Sequence, residues 1–155
     1  MLDLRYLPMQ MVIERLEKSM SSQNNGFQVK LAHAAKFDGK VLSDDAGWNK
    51  YKGECAAGVQ YVFYKAGKPL GTTDTWKQGI QVKGNSIPAG TAIASFRNKR
   101  FANDHAAILI RETKNGLEVW DQYNTPPKPW GKRTLRFSND NDRSNNGNLF
   151  YVITK

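Results

Sequence analysis

The stretch HAAILIRETKNGLEVWDQY, residues 105–123, decides the fold class. His105–Arg111 is rich in Ile and Ala and reads as a strand, and Leu117–Tyr123 reads as a second. Lys114-Asn115-Gly116 between them is turn chemistry, so the two strands are expected to run antiparallel. Working outward, Thr91–Phe96, Thr134–Phe137 and Leu149–Thr154 read as further short strands. Upstream the apolar period changes. Val59, Val62, Phe63 and Ala66 form one stripe of a helix over Glu54–Ala66, which Gly67 and Pro69 stop. Met9, Ile13, Leu16 and Met20 give a short helix over Met9–Met20, and Thr72–Gly79 adds a helical turn with Thr72 or Thr73 as its cap. Lys40–Gly53 and Ser138–Asn148 read as loops. Helices first and antiparallel strands after predict an α+β fold, with N-terminal helices packed on an antiparallel β-sheet.

A chain of 155 residues is expected to form one domain. We divide it into an N-terminal helical extension at 1–39, accessory to the domain, and the domain proper at 40–155. Hydrophobic residues at 39% and aromatics at 11% are too plentiful for intrinsic disorder. No apolar run reaches membrane-spanning length. Lys plus Arg number 23 against 14 Asp plus Glu, a net charge of +9, which favours anionic partners without choosing among them. The apolar stretch Met9–Ile13 is cut short by Glu14, Arg15 and Glu17, so no signal peptide is expected. The expectation is synthesis in the cytoplasm and, for any export, a machine that ignores such signals.

Cys55 is the single cysteine, which excludes an intramolecular disulfide and a multi-cysteine zinc site. No metal and no cofactor are expected. Cys55 falls at the start of the predicted helix, where unpaired N–H groups and the helix dipole favour a thiolate and can hold an oxyanion. Gly53 just before it permits a sharp turn or a close approach. The plain alternative is a core thiol on the apolar stripe. His105 opens the clearest strand and suits a general base that later acts as an acid. His33 has no partner pattern. Asp121, in the next strand, suits the residue that orients His105, with Gln122 and Asn124 as amide alternatives. Alternation puts Asp121 with Val119 and Tyr123 on one face and Gln122 with Trp120 on the other. A two-residue turn at Asn115-Gly116 would pair Asp121 with Ile110. Direct pairing with His105 needs a longer loop centred near Thr113.

Gly53-Glu54-Cys55-Ala56-Ala57, Gly90-Thr91-Ala92-Ile93-Ala94, His105-Ala106-Ala107-Ile108 and Val119-Trp120-Asp121-Gln122 stand in the order Cys, His, polar residue. In this the chain resembles the papain-like cell-wall cysteine hydrolases, the NlpC-type and CHAP-like amidases, and most of all the small amidase effectors of type VI secretion. The likeness covers about residues 40–155. Glu54 and Tyr123 depart from it, standing where many CHAP domains carry Gln and Asn. The resemblance implies a papain-like fold and a cysteine amidase or peptidase acting on peptidoglycan stem peptides. It implies Cys55 as nucleophile, His105 as base and Asp121, or alternatively Gln122, as orienter. It also implies delivery to the periplasm of a target bacterium or secretion, a secretion machinery as partner, and a cognate immunity protein.

Trp48, Tyr51, Trp76, Tyr123 and Trp130 lie near these landmarks and are candidates to wall a substrate cleft. Core packing is the alternative for at least half of these aromatics. Two other functions stay open: an acyl transferase or deamidase on protein substrates, which needs the same residues, and a basic non-catalytic nucleic-acid-binding module, supported by charge alone.

Overall fold

The computed structural model describes residues 8–14, 26–43 and 51–155. Among the described residues, and besides a helical stretch at 9–14, two helices and six strands carry the architecture: α1 Leu31–Ala35, α2 Cys55–Lys65, β1 Lys77–Gln81, β2 Ala92–Arg97, β3 Arg100–Glu112, β4 Gly116–Tyr123, β5 Lys128–Arg136 and β6 Phe150–Thr154. The strands form one antiparallel sheet in the order β1-β6-β2-β3-β4-β5, with an extra pairing of Lys77 on β1 with Arg100 on β3. The fold is α+β.

Strand alternation divides the core into two clusters. On one face Ala92, Ala94, Ala106, Ile108 and Trp120 pack with Val59, Val62 and Phe63 of α2. The small alanines let the helix come close. On the other face Ile93, Ala107, Leu109, Val119, Leu135 and Val152 cluster together. Val29, Ala34 and Phe37 belong to the first cluster, so residues ahead of position 40 share the core of the domain.

Several expected boundaries shift, each for a local reason. The strand expected to open at His105 begins at Arg100. Asn98 and Lys99, at φ 50° and 65°, make a tight two-residue turn that pairs Arg97 with Arg100 and lengthens the hairpin. The strand expected at Thr134–Phe137 begins at Lys128. It contains Pro129, which is tolerated because β5 is an edge strand. The turn expected over Thr72–Gly79 is a 3-10 turn at Thr73–Thr75, and β1 follows directly. Residues 9–14 are helical; residues 15–20 of the expected Met9–Met20 helix lie outside the described residues.

Gly58 fixes how closely α2 approaches the sheet. A Cβ there would lie 2.9 Å from Gln122 Cδ and 2.9 Å from the Trp130 ring. Trp130 is 1% exposed, and its indole N–H donates to the Ala34 carbonyl at 3.0 Å. Gly58→Ala gains about 1 kcal/mol of helix propensity but must displace groups with no room to move. We expect a net destabilisation of about 1–3 kcal/mol, measured by denaturant unfolding. A variant as stable as the wild type would show that the helix–sheet spacing is slack.

Candidate active site

Cys55 is the first residue of α2, and the chain is forced into that helix start. Gly53 has φ 86°, and Asn124 Oδ1 sits 2.0 Å from where a Cβ would stand, so only glycine fits. The close approach expected at Gly53 is thus made by a neighbouring side chain. Glu54 is the extended N-cap residue, and its side chain makes no capping bond. Its carbonyl accepts from Gln122 Nε2 at 2.8 Å. The same Gln122 amide donates to the Leu42 carbonyl at 2.9 Å and accepts from the Leu42 N–H at 2.9 Å. Gln122 therefore ties the entry of α2 to the segment around Leu42. It lies on the face that α2 covers, and its amide bonds go to backbone.

His105 lies within β3 and is buried, at 2% exposure. The β3–β4 register follows neither expected extreme. Ile108 pairs with Trp120 and Leu109 with Val119, and an irregularity then brings Arg111 opposite Glu118. Continued along the strands, this register sets Ala107 opposite Asp121 and His105 opposite Tyr123. Asp121 reaches the imidazole along the diagonal, two residues off, on the face the alternation predicted. Asp121 Oδ2 lies 2.6 Å from His105 Nε2.

Asp121 has no exposed surface. Besides His105 it accepts from Arg133 Nε at 2.5 Å on Oδ2 and from Lys128 Nζ at 3.0 Å on Oδ1. Burial works to raise the carboxyl pKa. The hydrogen bond and charge of His105, then the charges of Arg133 and Lys128, outweigh burial and hold Asp121 below the ordinary carboxylate value. For His105, burial works to lower the pKa. The hydrogen bond that the ring makes to Asp121, then the hydrogen bond and negative charge of the Cys55 sulfur, then the charge of Asp121, carry it above the ordinary histidine value. With Asp121 ionised, the ring proton faces it from Nε2, which leaves Nδ1 for the thiol.

Cys55 and His105 line one cleft of about 390 Å³, together with Tyr123, Asn124, Arg133 and Asn145 among others. Of the five aromatic candidates, Tyr123 lines this cleft. Trp130 is buried in the core, as its 1% exposure requires. Trp76 is 3% exposed and packs edge-on against Phe101, beside a separate cavity. Tyr51 is exposed and does not contribute to the cleft lining. Trp48 lies outside the described residues. Arg133 and Lys128, which the sequence shows only as members of a loose basic cluster, turn out to hold Asp121. The available clue was alternation: Arg133 and Leu135 share a face on β5, which puts a cation inward. Among the described residues no group of three His, Cys, Asp or Glu is arranged to hold a metal ion, and no helix is long and apolar enough to cross a membrane.

This geometry can be set beside known proteins. The model of the family described as "Domesticated amidase effector 2" matches residues 19–153. A protein of Ixodes scapularis named "Domesticated amidase effector 2" is 41% identical over 87 residues, 53% of this chain and 58% of that one. A "Type VI secretion amidase effector 2 protein" of Salmonella typhi is 41% identical over 59 residues, 35% of this chain and 44% of that one. The chain thus spans about half the length of the curated relatives it matches. The solved structure of "Type 6 secretion amidase effector 2 (Tae2)" superposes with a TM-score of 0.62 at 26% identity, covering 83% of this chain and 94% of the other. With a buried Asp–His pair facing a helix-start cysteine, and a family match over most of its length, the chain belongs to the domesticated amidase effector 2 family.

Proposed function

We propose that this chain is a cysteine amidase that hydrolyses amide bonds in the stem peptides of bacterial peptidoglycan, in the manner of an antibacterial effector. The observation that carries the reading is one cleft holding Cys55 at a helix start and His105, whose ring Asp121 grips at 2.6 Å. Membership of an amidase effector family supports the same reaction class.

In this reading the Cys55 sulfur attacks the amide carbonyl carbon, and His105 Nδ1 takes the thiol proton. The Cys55 backbone N–H, uncapped by Glu54, donates to the oxyanion that forms. Collapse breaks the C–N bond as His105 returns the proton to the departing amine, and water then releases the acyl group from sulfur. Asp121 keeps the ring in place throughout. The order of the landmarks supports a papain-like arrangement of the NlpC and CHAP kind. The +9 charge suits an anionic cell wall. Likeness to type VI amidase effectors supports delivery by a secretion machinery to a target periplasm, with a cognate immunity protein protecting the producer.

The test is mass spectrometry of purified peptidoglycan digested by the wild type and by variants. Cys55→Ala and His105→Ala, folded by circular dichroism, should each lose several powers of ten in rate. Asp121→Asn should lose less, because it orients rather than reacts. Wild-type turnover in folded Cys55→Ala would overturn the reading, and transfer of the acyl group to an added amine instead of water would favour the transferase. The pH profile gives an independent check. His105 has a raised pKa, so the imidazolium that protonates the amine persists above the usual histidine range. The alkaline limb of kcat/KM should therefore lie above that range and move down in Asp121→Asn. A limb at the ordinary histidine value, unmoved in Asp121→Asn, would remove Asp121 from the mechanism.

A further inference from the structure

A buried Asp–His pair has a defect as a proton shuttle. The carboxylate favours the imidazolium, and too strong a hold on that proton would leave the ring slow to take one from the thiol. Something must weaken that hold without neutralising the carboxylate by protonation. Arg133 is placed to do both. Its Nε donates to Asp121 Oδ2 at 2.5 Å, on the oxygen that also binds the ring. Its Nη2 stands 3.1 Å from His105 Nε2. With the Nε2 proton pointing at Asp121, that approach is cation against ring, and it opposes a second positive charge on the imidazole.

The arginine is itself held from two sides. Its guanidinium lies over the Tyr123 ring, 4.9 Å from the centroid. Nη1 donates to Asn145 Oδ1, and Asn145 Nδ2 donates in turn to Asp142 Oδ2. Asn145 and Asp142 line the cleft. Lys128 differs: its Nζ is spread over the carbonyls of Asp121, Pro129 and Gly131 as well as Asp121 Oδ1, it lies over the Tyr123 ring at 5.9 Å from the centroid, and it is not itself part of the cleft lining. The charged and titratable groups facing His105 are Cys55 from α2, Asp121 and Tyr123 from β4, and Arg133 from β5, with Lys128 acting through Asp121. Asp104, beside it in sequence, is paired with Arg97 and Arg143.

We propose that Arg133 is a positioning residue that keeps the Asp121–His105 pair able to take up and give back a proton. The proposal rests on the cysteine amidase reading for its purpose, but its physical content does not need turnover. The experiment is an NMR titration of the His105 ring in the full chain, alongside pH profiles of kcat and KM on peptidoglycan fragments. In Arg133→Met the ring should hold its proton at least about one pH unit higher than in the wild type, because a cation 3.1 Å away is gone. Near neutral pH kcat should fall about tenfold or more with KM little changed, and activity should recover as pH is raised. Arg133→Lys should bring both the titration and kcat most of the way back. If Arg133→Met does not fold, Asn145→Ala, which frees the guanidinium from its anchor, should move the titration the same way by less.

An unmoved titration in folded Arg133→Met overturns the proposal. So does a raised KM with an unmoved pH profile, which would make Arg133 a substrate-binding residue only. A wild type with no hydrolytic activity would refute the amidase reading, while the titration would still decide the role of Arg133.

Discussion

The buried carboxylate of Asp121 is the interaction on which the rest of the site depends. A charge with no exposed surface costs several kcal/mol unless it is hydrogen-bonded and neutralised. Here His105, Arg133 and Lys128 converge on its two oxygens from β3 and β5. Meeting that demand fixes three strands relative to one another. It needs the diagonal β3–β4 offset, the inward turn of Arg133 on β5, and a Lys128 held by the carbonyls of Pro129 and Gly131 on its own strand and of Asp121 on β4. The arrangement that orients the imidazole is therefore also one that specifies the sheet.

The other half of the site is steric. Cys55 is presented by a helix seated against the sheet through Gly58, and the helix entry is bolted by Gln122 and shaped by Gly53 against Asn124. Adjacent residues on β4 thus divide the labour by alternation. Asp121 faces the imidazole on one side of the strand, and Gln122 faces the helix on the other. Both side chains are fully buried, and both find every partner they need within the fold.

Much of this was legible in the sequence, and the failures have physical causes. Periodicity placed α2, β2, β4 and β6 to within a residue or two, because one-sided burial leaves a clear pattern. It shortened β3 and β5. Their extra residues, Arg100–Asp104 and Lys128–Arg133, mix charged residues with apolar ones or are interrupted by Pro129, and they pair through turns that carry no Gly. The order of Cys55, His105 and Asp121 was readable; the reach from Asp121 to His105 was not, because it depends on an irregularity between Leu109 and Arg111 that no residue type announces. The aromatic candidates were over-assigned, since a Trp in sequence looks the same whether it walls a cleft or, like Trp130, fills a core. Arg133 and Lys128 were hidden among the 23 basic residues by an overall charge that suggested only surface.

In the proposed mechanism Cys55, His105 and Asp121 act as one coupled unit, and timed alkylation of Cys55 across pH 5 to 9 is the most direct test of that coupling. Iodoacetamide should label Cys55 in the folded protein, and His105→Ala should change the pH dependence of that labelling. A folded protein that resists alkylation until denatured would make Cys55 a core thiol, and a labelling profile unchanged by His105→Ala would contradict the coupling.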